Sequence, residues 1–236
     1  MYRTILAFAK KSKLNNIHPV EKIVLSIFPI IILGFFNNIT TTALNILFFT
    51  IIHIYFKNPG KVVLKFTLGI AAFSSISCIT FIFDYGLYYC FAIVLKSISG
   101  GLGLAFLVLT TPLDDMLYLF SKSELLRDVC DIVKSMERFL VLIEDEYSLL
   151  YRGMKARGGF DSYRKKIRNT GRLAGLLFIN TLKRWNEIKD GIISRCYKGY
   201  MPYLIKKFNF SLFRFLGVIS YNIALLLLNL VYFKRY

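Results

Sequence analysis

The sequence predicts an all-α, polytopic membrane protein with about five transmembrane helices and a cytoplasmic helical module inserted before the last span. Three observations predict it. Hydrophobic residues make up 56% of the 236 positions and aromatics 16%, a composition richer than water-soluble domains carry. Residues 23–56 hold no charge at all over 34 positions, and further apolar stretches cover 66–83, 85–109 (broken by Lys96) and 215–233. Finally, charge is concentrated. Of the net +17, residues 152–207 hold fifteen Lys/Arg against three acids (Asp161, Glu187, Asp190), a net of +12.

A hydrocarbon slab about 30 Å thick takes roughly 20 apolar residues per helix. The first run, 23–56, therefore holds two short spans or one span and a re-entrant helix, and each later stretch one span. The start is not a secretory signal: the run ends in Gly34-Phe35-Phe36-Asn37-Asn38 without a small-residue cleavage site, and more spans follow. Arg3, Lys10, Lys11, Lys13 and Lys22 precede the first span against Glu21 alone, and the turn at Asn37-Asn38 is uncharged. The next loop carries Lys57, Lys61 and Lys65, and the one after it only Asp84. Positive charge in short loops marks the cytoplasmic side. This alternation sets the N-terminus in the cytoplasm and returns the chain there near Thr110-Thr111-Pro112. The organisation is a membrane domain over 1–110, cytoplasmic helices over 111–210 and a last span over 211–236, in a multi-pass protein of the plasma membrane.

Residues 111–207 contain nineteen Lys/Arg and twelve of the fourteen acids, yet keep helical periodicity. Leu125, Val129, Ile132, Val133, Met136, Phe139, Leu140 and Ile143 form a wide apolar stripe, expected to pack on protein or bilayer. Glu124, Asp128, Asp131, Lys134 and Arg138 take the opposite face. Ser121 and Ser123 are start signals for this helix. A second helix is expected over 171–193, with Leu173, Leu176, Leu177, Asn180, Leu182 and Ile188 on its apolar or small-polar side. A sixth crossing near 132–143 is excluded, because Lys134, Glu137 and Arg138 would each cost about 2.5–3.5 kcal/mol at mid-bilayer.

Several function classes fall away. Cys78, Cys90, Cys130 and Cys196 have no metal or redox spacing and read as small packing residues. His18 and His53 are far apart without acidic neighbours, so no metal site is expected. Asp114-Asp115 and Glu144-Asp145-Glu146 read as helix-start and solvated charges, not as a catalytic set. Gly100-Gly101-Leu102-Gly103 lacks the lysine and serine of a phosphate loop. No catalytic residue and no cofactor is expected, and energy must come from another polypeptide. Arg164-Lys165-Lys166-Ile167-Arg168 suits anionic headgroups at about 1 kcal/mol per cation. No nucleic-acid module accompanies the charge. Lys96 either hydrogen-bonds backbone near a kink or lines a polar seam between spans, and stands as the intramembrane polar candidate.

Two short motifs sit in the basic region, Ala156-Arg157-Gly158 and Cys196-Tyr197-Lys198-Gly199-Tyr200. They follow a His18-Pro19-Val20-Glu21-Lys22 start, four spans, Thr110-Thr111-Pro112-Leu113 and the amphipathic helix. In this order the chain resembles the transmembrane T component of energy-coupling factor (ECF) transporters, the EcfT/CbiQ family, over nearly its whole length. The resemblance implies a non-enzymatic subunit bridging a membrane-embedded, substrate-binding S component to two cytosolic ABC ATPase subunits, with no cofactor of its own. Two coupling helices dock on the ATPases through Ala-Arg-Gly-like tips. Here these are Ala156, Arg157 and Gly158, and then Tyr197, Lys198 and Gly199, where lysine stands for arginine without its bidentate fork. The His-Pro start and the length resemble dedicated cobalt or nickel systems more than shared vitamin modules. Two other classes compete: a membrane-embedded lipid-modifying enzyme, and the permease of a conventional ABC importer, which couples through one loop.

Overall fold

The computed structural model describes residues 2–196 and 208–233. Among these, helices follow one another as α1 Tyr2–Lys11, α2 Pro19–Phe35, α3 Ile39–Tyr55, α4 Gly60–Thr110, α5 Leu113–Phe120, α6 Glu124–Ala156, α7 Tyr163–Ser194 and α8 Leu212–Phe233. No strand forms among the described residues; Ile17 and Asn209 share an isolated parallel bridge. The chain divides into two compact units, 1–116 with 206–236, and 117–205.

In the first unit α4 is two limbs, Gly60–Phe83 and Gly86–Thr110. They meet at Gly86, whose φ of 78° and ψ of 171° belong to a region that only glycine visits freely. By length and composition, both limbs and α8 are able to cross a membrane. The helices α2 and α3 have 17 residues each, about 25 Å of helix, at the short end of the spanning range. All-α, polytopic architecture follows. Nothing lies within 4 Å of a Cβ added at Gly86, so replacement there strains only the backbone. Gly86→Ala is expected to cost about 1–3 kcal/mol, read as a lower thermal midpoint in detergent.

The helix α3 is built inside out. Thr41, Asn45, Phe49 and His53 recur every fourth residue and are buried, while Leu44, Leu47, Ile51 and Ile54 are exposed. Lipid is as apolar as leucine, so small and polar side chains are what draw helices together in a bilayer. Each of these polar groups is engaged. Thr41 donates to Asn229 Oδ1 at 2.8 Å, Asn45 Nδ2 to Ser99 Oγ at 2.6 Å, and Tyr221 Oη to Asn45 Oδ1. His53 Nε2 meets the Leu102 carbonyl at 3.2 Å, with Asn58 on its other ring nitrogen. Phe49, Leu102, Ala105, Phe106 and Leu109 complete the core around this seam.

Lys96 reaches the turn between α2 and α3. Its Nζ donates to the Asn37 side chain at 2.6 Å, not to backbone. Lys22 Nζ donates to the Thr110 carbonyl at 2.9 Å. From Lys96 to Thr110 is fourteen residues, about 21 Å, and from Lys22 to Phe35 about 20 Å. A lysine contact therefore closes each end of the α2–α4 pair.

The His18-Pro19-Val20-Glu21-Lys22 run ties the base of this unit together. His18 Nδ1 caps α2 by accepting from Val20 N–H, and its ring lies edge-on to Phe208 and Phe210. Buried Glu21 accepts from Ser211 N–H and Arg214 Nε, both at 3.3 Å, at the start of α8. Sequence pattern alone treats residues 1–17 as a basic tail. The structure forms α1 there: Ile5 and Ala9 turn inward from the helix, and Leu14 and Ile17 in the following turn join the core, while Arg3, Lys10 and Lys11 stay outside.

The second unit pairs α6 with α7. Glu146 accepts from Asn180 Nδ2 at 2.8 Å and from Arg184 at 3.3 Å, and Phe139 and Trp185 rings lie 5.5 Å apart. The pairing 146 with 180 and 139 with 185 makes the helices antiparallel. They part beyond Trp185, leaving a cleft of about 540 Å³ whose rim carries Arg138 and Lys189. The helix α7 starts eight residues before the expected position and takes in the whole Arg164–Arg168 cluster. Ser123 occupies the cap position of α6, although its hydroxyl makes no capping bond.

The stripe of α6 is left open, as a surface for protein or bilayer requires; the difference from expectation is on the charged face. On α6 the apolar stripe points outward: Leu125 is 91% exposed, and Val129, Ile132, Met136 and Leu140 are exposed too. Asp131, Lys134 and Glu137 are buried, each with a polar or ionic contact. The three charges sit at i, i+3 and i+6 with alternating sign, an arrangement in which successive side chains attract along the helix.

Candidate functional site

The end of α6 is determined residue by residue. Gly158 takes φ +66°, the left-handed conformation that stops a helix at little cost only for glycine. Its N–H donates to Lys155 C=O and that of Gly159 to Met154 C=O, each at 3.0 Å. This crossed pair is the Schellman closure, with Arg157 as the C-cap residue at φ −92°, ψ 18°. A Cβ on Gly159 would sit 2.7 Å from the Met154 carbonyl oxygen, a backbone atom that cannot move without breaking the closure. From α7, Asn169 Nδ2 pins the Gly159 carbonyl at 2.6 Å. Tyr151 packs on Phe160 beneath the turn, at 4.9 Å between rings, and Tyr147 stacks on Tyr151.

This rigid tip presents Ala156 and Arg157 outward. Both are exposed, and the Arg157 guanidinium makes no hydrogen bond or ion pair among the described residues. A cation held at the C-terminal end of a helix also suits the negative end of the dipole. The unit therefore displays a guanidinium fork on a fixed turn, a geometry suited to an acidic groove.

Tyr197, Lys198 and Gly199 lie outside the described residues. Just before them, however, α7 ends as α6 does. Arg195 has φ −92° and ψ 19°, and Cys196 follows at φ +56°. The N–H of Cys196 donates to Ile193 C=O at 3.0 Å, as that of Gly158 does to Lys155. Ser194-Arg195-Cys196 thus repeats the small-Arg-small order of Ala156-Arg157-Gly158, thirty-eight residues later. A search for glycine after a cation passes over it, because cysteine stands in the left-handed position. The repeated small-Arg-small order was the signal available.

No group of His, Cys, Asp and Glu among the described residues is arranged to hold a metal. Burial, and then the neighbouring Asp131, push the Cys130 thiol upward, away from the thiolate that a nucleophile needs.

The family model CbiQ, cobalt transport protein, matches residues 10–204. An uncharacterized protein of Methanocaldococcus jannaschii is 22% identical over 93% of this chain and 90% of its own length. A putative fused cobalt transport protein CbiMQ of Methanocorpusculum labreanum is 28% identical over 45% of this chain, a match that takes up 18% of the fused protein.

Proposed function

This chain belongs to the CbiQ family of cobalt transport proteins, and on that premise we propose that it is the transmembrane coupling subunit of an ECF-type ABC importer. It sits in the plasma membrane with its N-terminus in the cytoplasm. Its membrane domain, 1–110 with 211–236, meets a membrane-embedded S component that binds the substrate. Its cytoplasmic helices, within 111–210, dock on two ABC ATPase subunits. Cobalt or nickel is the favoured cargo over a vitamin, in keeping with the family description and with the name of the fused relative.

The observation that supports the reading is the outward Arg157, unpaired among the described residues, on a closed helix end, with the same backbone dihedrals repeated at Arg195. A pair of cationic tips separated by α7 gives two ATPases one grip each. ATP-driven closure then displaces one tip against the other, and the antiparallel α6–α7 pair transmits that displacement. Arg195 is the second cation in this scheme. Lys198, three residues on, is its rival.

Affinity purification of the tagged chain from membranes that carry its genomic neighbours tests the proposal. Two ATP-hydrolysing subunits and an S component are expected in the eluate, with radiolabelled cobalt uptake that requires all of them. ATPases accompanied by a soluble binding protein indicate a conventional importer instead. Loss of the proposal follows if no ATP-hydrolysing subunit is retained.

A further inference from the structure

Cysteine spacing in the sequence suggests no pair, but the Gly86 bend creates one. Cys78 on the first limb of α4 and Cys90 on the second are both buried. Each sulfur lies 3.6 Å from the other residue's backbone carbonyl, so the two side chains face one another across the bend. Between them, from 79 to 89, every described side chain is exposed. The first limb buries Val63, Thr67, Ser74 and Cys78 in turn, so the cysteines form the outermost packed contact of the hairpin before its tip leaves the protein interior. A covalent bond at this point governs whether the two limbs part or stay together.

We propose that Cys78 and Cys90 are a modification site that closes to a reversible intramolecular disulfide pinning the α4 hairpin. The oxidant is itself a disulfide. One cysteine thiolate attacks it, forming a mixed disulfide and releasing one thiol; the second cysteine then displaces the other thiol and completes the S–S bond. Two protons leave the cysteines, the electron pair ends on the oxidant, and its two sulfurs depart as two thiols. The route in is through lipid: Phe81, Phe83, Leu87 and Tyr88 around the hairpin tip are all exposed in a part of the chain made to face a bilayer. A lipid-soluble disulfide is therefore the suitable reagent.

The test uses the full-length chain with Cys130→Ser and Cys196→Ser, leaving only this pair, in detergent micelles with dithiodipyridine. Closure releases two thiopyridones per chain, leaves no pyridine adduct and no alkylatable thiol by intact mass, and raises the thermal midpoint; dithiothreitol restores both alkylatable thiols and the original midpoint. Further replacement of Cys90 by Ser leaves one adduct on Cys78 and no rise in the midpoint. Persistent adducts on both Cys78 and Cys90 overturn the proposal. So does an unreacted pair under conditions in which exposed Cys196 of the parent chain is labelled.

Discussion

Arg157→Glu combined with Arg195→Glu is expected to abolish retention of the ATPase subunits and cobalt uptake together, while the chain still inserts and folds. A charge-assisted hydrogen bond is worth about 1.5–3 kcal/mol, so each arginine replaced by alanine weakens capture roughly tenfold to a hundredfold. Glutamate adds repulsion against an acidic groove, and the double change exceeds either single one. Both side chains are exposed and both helix ends are closed by backbone hydrogen bonds, so thermal stability moves little. Lys198→Glu supplies the decisive comparison. If it costs as much as Arg157→Glu while Arg195→Glu costs little, the second grip lies after α7, and the repeated backbone geometry at Arg195 carries no function. Gly159→Ala separates shape from charge. It keeps Arg157 but places a methyl 2.7 Å from Met154 C=O, and should lower capture as much as Arg157→Ala. Wild-type retention by the double arginine variant contradicts the docking role outright.

The membrane class was legible in the charge-free run 23–56, and the start of α6 in Ser123. Spacing and hydropathy report which residues alternate, but not what medium lies on either side. That is why the burial of Asp131 and Lys134, placed on the face of α6 opposite its apolar stripe, could not be foreseen. The buried polar face of α3 was unreadable for the same reason: Asn45 and His53 sit in a run that hydropathy scores as uniformly apolar. Contacts across distance were also out of reach. Cys78 meets Cys90 only because Gly86 bends the chain, a feature that twelve residues of local sequence do not announce. Lys96 was flagged as an oddity of charge, and its partner Asn37, fifty-nine residues away, became visible only once α2 and α4 were side by side. Arg195 was missed for a different reason, since a cysteine in the left-handed position hides a helix end from a reading that looks for glycine.

Lys22→Met is expected to destabilise the membrane unit more than Glu21→Gln, although the two side chains are almost equally buried. Lys22 brings positive charge and a donor to Thr110 C=O at the end of α4, where the last carbonyls lack helical partners and the dipole is negative. Methionine fills the space but leaves that carbonyl unpaired in the protein interior, at a cost of about 1–3 kcal/mol. Glu21 serves the opposite terminus, taking Ser211 N–H and Arg214 at the start of α8. Glutamine retains an oxygen for Ser211, and Arg214, itself half-exposed, turns to water. The loss there is confined to the charge. Thermal unfolding of both variants in the same detergent measures the order directly. Because Glu21 and Lys22 serve different helices, the double variant should lose close to the sum of the single losses. A double variant no worse than Lys22→Met would mean that the two charges act as one ion pair, and that the ends of α4 and α8 are held by something other than the residues following His18-Pro19.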